Sequence, residues 1–167
     1  MTETQPFTIS RNFKAPRELV FACHTQVEHL AKWLSPAGFK VIKADLDLRP
    51  GGIYHYGLEG PDGMQMWGKQ VYREIKAPEK IVLVQSFSDK DGGMTRHPMS
   101  PTWPREMLST TTFEDLGNGE TKVTVSFLPL NAGEEEIKTF DGARPSMSGG
   151  FKGSFDNLES YLGTLQK

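Results

Sequence analysis

A single cysteine, Cys23, stands among 167 residues, so no disulfide can form within the chain. It sits in the apolar run Leu19-Val20-Phe21-Ala22-Cys23 with no His or carboxylate demonstrably placed to activate it, which reads as a buried structural thiol. Charge of either sign is not in excess: 19 Lys and Arg face 21 Asp and Glu, for a net charge of −2. That balance supplies no broad cationic face for a phosphate backbone, so nucleic acid is not an expected partner. No apolar stretch approaches the ~20 residues of a membrane-spanning helix. The opening Met1-Thr2-Glu3-Thr4-Gln5-Pro6 has neither the basic start nor the apolar core of a secretion signal, and the expected location is cytoplasmic. No charge run or low-complexity segment divides the chain, and its length suits one domain, residues 1–167.

The usual signatures of bound cofactors are missing too. His24 and His29 are five residues apart, about 140° around a helix, and do not converge as an i, i+4 ligand pair would. His55 falls on a strand and His97 in a proline-rich stretch, so no metal site is expected. No Gly-rich phosphate loop, serine elbow or dinucleotide fingerprint occurs, and Gly149-Gly150-Phe151-Lys152-Gly153 lacks both the spacing and the preceding strand that one would need. No cofactor is expected.

What is present is a clear change of period along the chain. Phe7 to Phe13 alternates apolar and polar residues as a strand does, and Ala15-Pro16 then opens a helix carrying Leu19, Val20, Ala22 and Cys23 on its face. A second short helix over Val27–Leu34 is expected to stop at Ser35-Pro36-Ala37-Gly38. Strand patterns follow, punctuated by Pro50-Gly51-Gly52, Gly60-Pro61-Asp62-Gly63, Lys76-Ala77-Pro78-Glu79 and Leu116-Gly117-Asn118-Gly119. They predict about seven antiparallel strands in an α+β fold. Ser88–Pro104, with Gly92, Gly93, Pro98, Pro101 and Pro104, reads as a long loop of the kind that forms lids or binding loops. At Asn131-Ala132-Gly133-Glu134 a capped helix start is expected, with Glu134 reaching back to the cap. From Pro145 onward, Met147, Phe151, Phe155, Leu158, Leu162 and Leu165 form the stripe of a long terminal helix.

Within the strands, Tyr54, Tyr56 and Leu58 share one face, and two tyrosines on a concave face present apolar rings with two hydroxyls. They suit a pocket or a core whose hydroxyls reach solvent. Gln85 alternates onto a face with Leu83 and Phe87, where burial would require hydrogen-bond partners. The strand around Met66-Trp67-Gly68 has no legible inner face. In the terminal helix, Gly149, Gly150 and Gly153 each cost roughly 1 kcal/mol relative to alanine. Close approach of helix to sheet would offset that, as would a ligand space beside Met147 and Phe151; Gly150 is the expected inward residue.

Taken in order, Arg49-Pro50-Gly51-Gly52 leading into Tyr54 and Tyr56, Gly60-Pro61-Asp62-Gly63, Tyr72-Arg73-Glu74-Ile75, Pro78-Glu79-Lys80-Ile81-Val82, Trp103-Pro104, Ser146 to Phe151, Leu158 and Tyr161-Leu162 carry a resemblance. The chain resembles the activator of heat-shock-protein-ninety ATPase homologue (AHSA-type) family, within the START-like, or SRPBCC, superfamily. The resemblance implies a helix-grip fold: a curved antiparallel sheet around a long C-terminal helix, with two short helices after the first strand. Such a container is reused for several functions, so fold does not choose among them.

The expected function is binding of a small apolar or aromatic molecule in a hydrophobic cavity between sheet and helix. The candidate contacts are Trp33, Tyr54, Tyr56, Met66, Gln85, Phe87, Met107, Ser109, Met147 and Phe151. Two alternatives stand beside it. One is an enzyme acting on a cyclic or aromatic metabolite in that cavity, using tyrosines with Glu106 or His55 as proton donors or acceptors. The other is a regulator of a chaperone ATPase, which would dock a partner chain through an exposed apolar patch.

Overall fold

A computed structural model describes residues 4–34, 38–97 and 100–166. Strand β1 (Phe7–Phe13) is followed by two short helices, α1 (Arg17–Thr25) and α2 (Val27–Trp33). The expected helix stop at Ser35, Pro36 and Ala37 lies outside the described residues. The meander then runs through β2 (Lys40–Leu46), β3 (Ile53–Glu59), β4 (Gln65–Lys76), β5 (Lys80–Ser88), the two-residue β6 (Met94–Thr95), β7 (Glu106–Gly117) and β8 (Glu120–Leu130). Helices α3 (Glu134–Gly142) and α4 (Arg144–Leu165) close the chain. The antiparallel sheet has the order β1-β8-β7-β5-β4-β3-β2, with β6 paired to β5.

The hairpins follow from their turn residues. Between β7 and β8, Asn118 and Gly119 both take positive φ, 56° and 75°, the two-residue geometry whose twist matches antiparallel strands. At Gly60-Pro61-Asp62-Gly63, the turn sets Glu59 opposite Gln65 and thereby Tyr54 opposite Gln70. The register shifts between Val41 and Lys43 on β2, between Tyr72 and Glu74 on β4 and between Asp115 and Gly117 on β7.

Helix α4 packs its stripe on the sheet: Met147, Phe155, Leu158 and Leu162 are buried, whereas Leu165, expected on the same stripe, is 39% exposed. Phe155 meets Phe13 edge to face at 5.6 Å, and Arg11 binds Asp156 at 2.7 Å, so β1 holds the helix by both ring and charge. Leu158 is fully buried, which stabilises the fold by roughly 1.5–3 kcal/mol. Helices α1 and α2 close the same core, where the Trp33 indole N–H donates to the Cys23 carbonyl at 2.9 Å. Cys23 is buried there, and desolvation pushes its thiol up to about 11, as an inert core group requires. A second cluster gathers Phe7, Met107, Phe127, Phe140 and Met147, with Phe151 and Ile9 packed against both.

Two expectations are corrected. Gly149, Gly150 and Gly153 do not face the sheet; all three are exposed, and a Cβ on any of them would meet nothing within 4 Å. The stripe from Met147 to Leu158 points the other way. At the start of α3, Gly133 is the N-cap, and Glu136 rather than Glu134 reaches back, its carboxylate accepting the Gly133 N–H at 3.0 Å. Glu136 is the third helical residue, the position from which a side chain can return to the cap.

Ser88–Pro104 is more structured than a plain loop. Asp89 accepts the N–H groups of Asp91 and Gly93, both at 2.9 Å, and β6 extends the hairpin onto β5. Arg96 then bridges to Glu136 at 3.0 Å and to the Pro101 carbonyl, while Thr102 and Thr139 share a hydroxyl bond at 2.8 Å. The segment is thus tied to α3; Pro98, counted in that loop, lies outside the described residues.

Candidate functional site

Between the concave face of the sheet, α4 and the Ser88–Pro104 segment lies a cavity of about 600 Å³. Its floor is built by cross-strand pairing, which puts directly opposed residues on one face. Tyr54 on β3 stands opposite Gln70 on β4, Gln70 opposite Gln85 on β5, and Gln85 opposite Met107 on β7. One step along the strands, Tyr56, Gly68 and Phe87 form a second row. The Tyr54 and Tyr56 rings stack with centroids 5.2 Å apart. Met147 and Phe151 descend from α4 opposite them, and Phe151 meets Phe127 edge to face at 5.6 Å. Leu30 and Leu34 from the α2 region, Val41 and Leu58 add aliphatic wall, and Trp103 and Pro104 close another side.

Seven of the ten candidate residues line this cavity: Tyr54, Tyr56, Gln85, Phe87, Met107, Met147 and Phe151. Trp33 does not; it is buried in the core under its bond to Cys23. Ser109 is buried in β7 opposite Phe127 and Leu83, outside the cavity wall. Met66 pairs with Leu58 and so takes the inner face, but at the strand's outer end, beyond the wall; Trp67 takes the opposite face beside His55. Gln70, Trp103, Pro104, Arg105, Phe127, Ser146 and Ser154 were not among the candidates. For Gln70 a signal existed, because a turn centred on Asp62 sets it opposite Tyr54.

Burial pushes both cavity phenols up, Tyr54 and Tyr56 to about 12 each, with the neighbouring Tyr54 adding to the effect on Tyr56. At neutral pH both are therefore hydroxyls able to donate. Among the described residues no carboxylate and no lysine line the cavity; its ionisable members besides the tyrosines are His97 and Arg105. The two further proton-transfer candidates lie elsewhere. His55 is on the opposite sheet face, its Nε2 within 3.2 Å of the Ser88 hydroxyl and 3.1 Å of the Asp89 carbonyl. Glu106 accepts the Asn131 amide at 3.2 Å on the surface. Among the described residues, no three His, Cys, Asp or Glu side chains gather as a metal site. No helix among them is long and apolar enough to cross a membrane.

A sheet gripping a C-terminal helix, with two short helices after the first strand and a hollow beneath, is the helix-grip architecture. The chain belongs to the activator of Hsp90 ATPase homolog 1-like family, whose model matches residues 14–163. Solved structures share the fold. A Rhodobacter sphaeroides protein superposes with a TM-score of 0.75 at 17% identity, covering 99% of this chain and 97% of its own. An Arthrobacter aurescens protein gives 0.76 at 22%, over 96% and 87% respectively. A Mycobacterium smegmatis protein gives 0.72 at 21%, over 97% and 96%. No protein with a curated description matches the sequence.

Proposed function

We propose that the protein binds a small, largely apolar or aromatic molecule in the cavity between the concave sheet face and α4. The observation that carries this reading is the cavity itself, about 600 Å³ with aromatic and aliphatic side chains on most of its wall and a few polar groups at its floor. Ligand pockets commonly have this size and make-up. Chemistry is less well supported, because neither His55 nor Glu106 reaches the cavity and its two phenols are held protonated.

Titration with the neutral fluorophore N-phenyl-1-naphthylamine tests the proposal. One saturable site per chain is expected, abolished when Ser154→Trp fills the cavity from α4 while circular dichroism stays unchanged. Binding unaffected by Ser154→Trp would place the dye elsewhere and remove the proposal's support.

A second reading, a protein that docks a partner chain, draws on the convex face. There Ile53, Val71, Val84, Leu108 and Leu128 stand in one register row across five strands, with Ile53 42% exposed. Stoichiometric recovery of a partner that Val71→Lys abolishes would favour it.

A further inference from the structure

The cavity floor has a polar centre that the protein leaves uncompleted. Gln70 and Gln85 are direct cross-strand neighbours on the concave face, yet among the described residues neither carboxamide makes a hydrogen bond to protein, and neither is sealed from the cavity. Among the described residues the hydroxyls of Tyr54 and Tyr56 beside them have no hydrogen-bond partner either. Polar groups that face such a hollow are matched by water or by a ligand that displaces it. Two carboxamides offer four N–H donors and two carbonyl acceptors, and each phenol can donate and accept.

The complement of that set is a group that also does both. A carboxylate would leave the two glutamine carbonyls facing an acceptor, and its charge would go uncompensated in this row. The permanently cationic residue among the described wall residues, Arg105, is exposed and precedes β7, two residues from Met107 and about 7 Å along the chain from the glutamine row. An ammonium could meet the carbonyls but would find no carboxylate in the wall. A purely apolar head would strand every one of these groups.

We infer that the Gln70–Gln85 pair, with Tyr54, recognises an uncharged carboxamide-like head, an amide or lactam that donates and accepts side by side, on the end of an apolar or aromatic ligand. This rests on the binding function proposed above and adds the chemistry of the head. The apolar body lies against Met107, Phe127, Met147 and Phe151, and the head turns its hydrogen-bonding edge to the two glutamine amides.

The test is calorimetric titration of the full chain with three matched probes: naphthalene-2-carboxamide, naphthalene-2-carboxylate and 2-methylnaphthalene. The carboxamide is expected to bind at least tenfold more tightly than either of the others. In Gln70→Leu/Gln85→Leu its affinity should fall to that of 2-methylnaphthalene, whose own affinity changes less than threefold. A carboxylate that binds as tightly as the carboxamide would overturn the inference and move recognition to Arg105, as would a carboxamide preference that survives the double substitution. Those outcomes leave the binding function standing. Failure of all three probes to bind would overturn both readings together.

Discussion

The Tyr56 ring occupies the space where a side chain on Gly68 would stand. A Cβ built on Gly68 would lie 2.6 Å from Tyr56 Cζ and nearer still to the hydroxyl oxygen, and the two residues are direct partners across β3 and β4. On the opposite face of the same strands, Trp67 does likewise over Gly57. Glycine at 68 therefore sets how low the cavity floor lies, by letting a stacked tyrosine lie down on the sheet.

Gly68→Ala should lift Tyr56 into the cavity. Affinity for N-phenyl-1-naphthylamine should fall roughly tenfold, with an overpacking cost of about 1–3 kcal/mol in urea unfolding. On a Tyr56→Ala background the same change should cost less than ~0.5 kcal/mol, since nothing remains to be displaced. Equal costs on both backgrounds would show that Gly68 serves its own strand rather than the tyrosine.

The exposed glycines of α4 predict the reverse behaviour. Gly150→Leu adds a side chain with no neighbour to strike, so the gain in helix propensity, up to roughly 0.8 kcal/mol, should appear as added stability. Affinity for the dye should not change. Loss of stability or of binding in that variant would return Gly150 to the inner face.

His24 predicts a pH dependence. Its ring lies between Trp33 and Phe113, centroids 4.9 Å from each, and it holds a 2.8 Å bond with the Val20 carbonyl. Desolvation holds the imidazole down to about 4, partly opposed by that bond. The unfolded chain takes up a proton below about pH 6.5 that the folded chain refuses, so stability is present above that pH and is lost as pH falls toward 4. Between pH 6.5 and 5 the loss from this group should be about 2 kcal/mol in urea unfolding, and His24→Gln should remove that part of the slope. A variant with the wild-type slope would mean that other groups carry it.

The order of elements was legible because each rested on local signals: period-two strands, Asn118-Gly119 at a hairpin, the stripe from Met147 to Leu162. The site was legible only in part, and the β4 bulge shows why. Continued without a bulge, the turn that pairs Lys76 with Lys80 would set Gln70 opposite Ser86. The irregularity between Tyr72 and Glu74 moves the register by one, so that Gln70 meets Gln85 and both face the cavity. Nothing local in Tyr72-Arg73-Glu74 announces that shift. The glycines of α4 misled for a related reason: their cost in a helix is intrinsic, but the face they occupy is set by where Phe155 and Leu158 pack.

The methionines provide the most direct measurement of ligand binding in the cavity. Met107 and Met147 line it, whereas Met64 and Met94 are 44% and 45% exposed and lie outside its wall. In protein carrying ¹³C-labelled methionine methyls, titration with N-phenyl-1-naphthylamine should shift the Met107 and Met147 signals saturably and together, leaving those of Met64 and Met94 in place. Shifts at Met64 or Met94 with Met107 and Met147 unmoved would contradict the account.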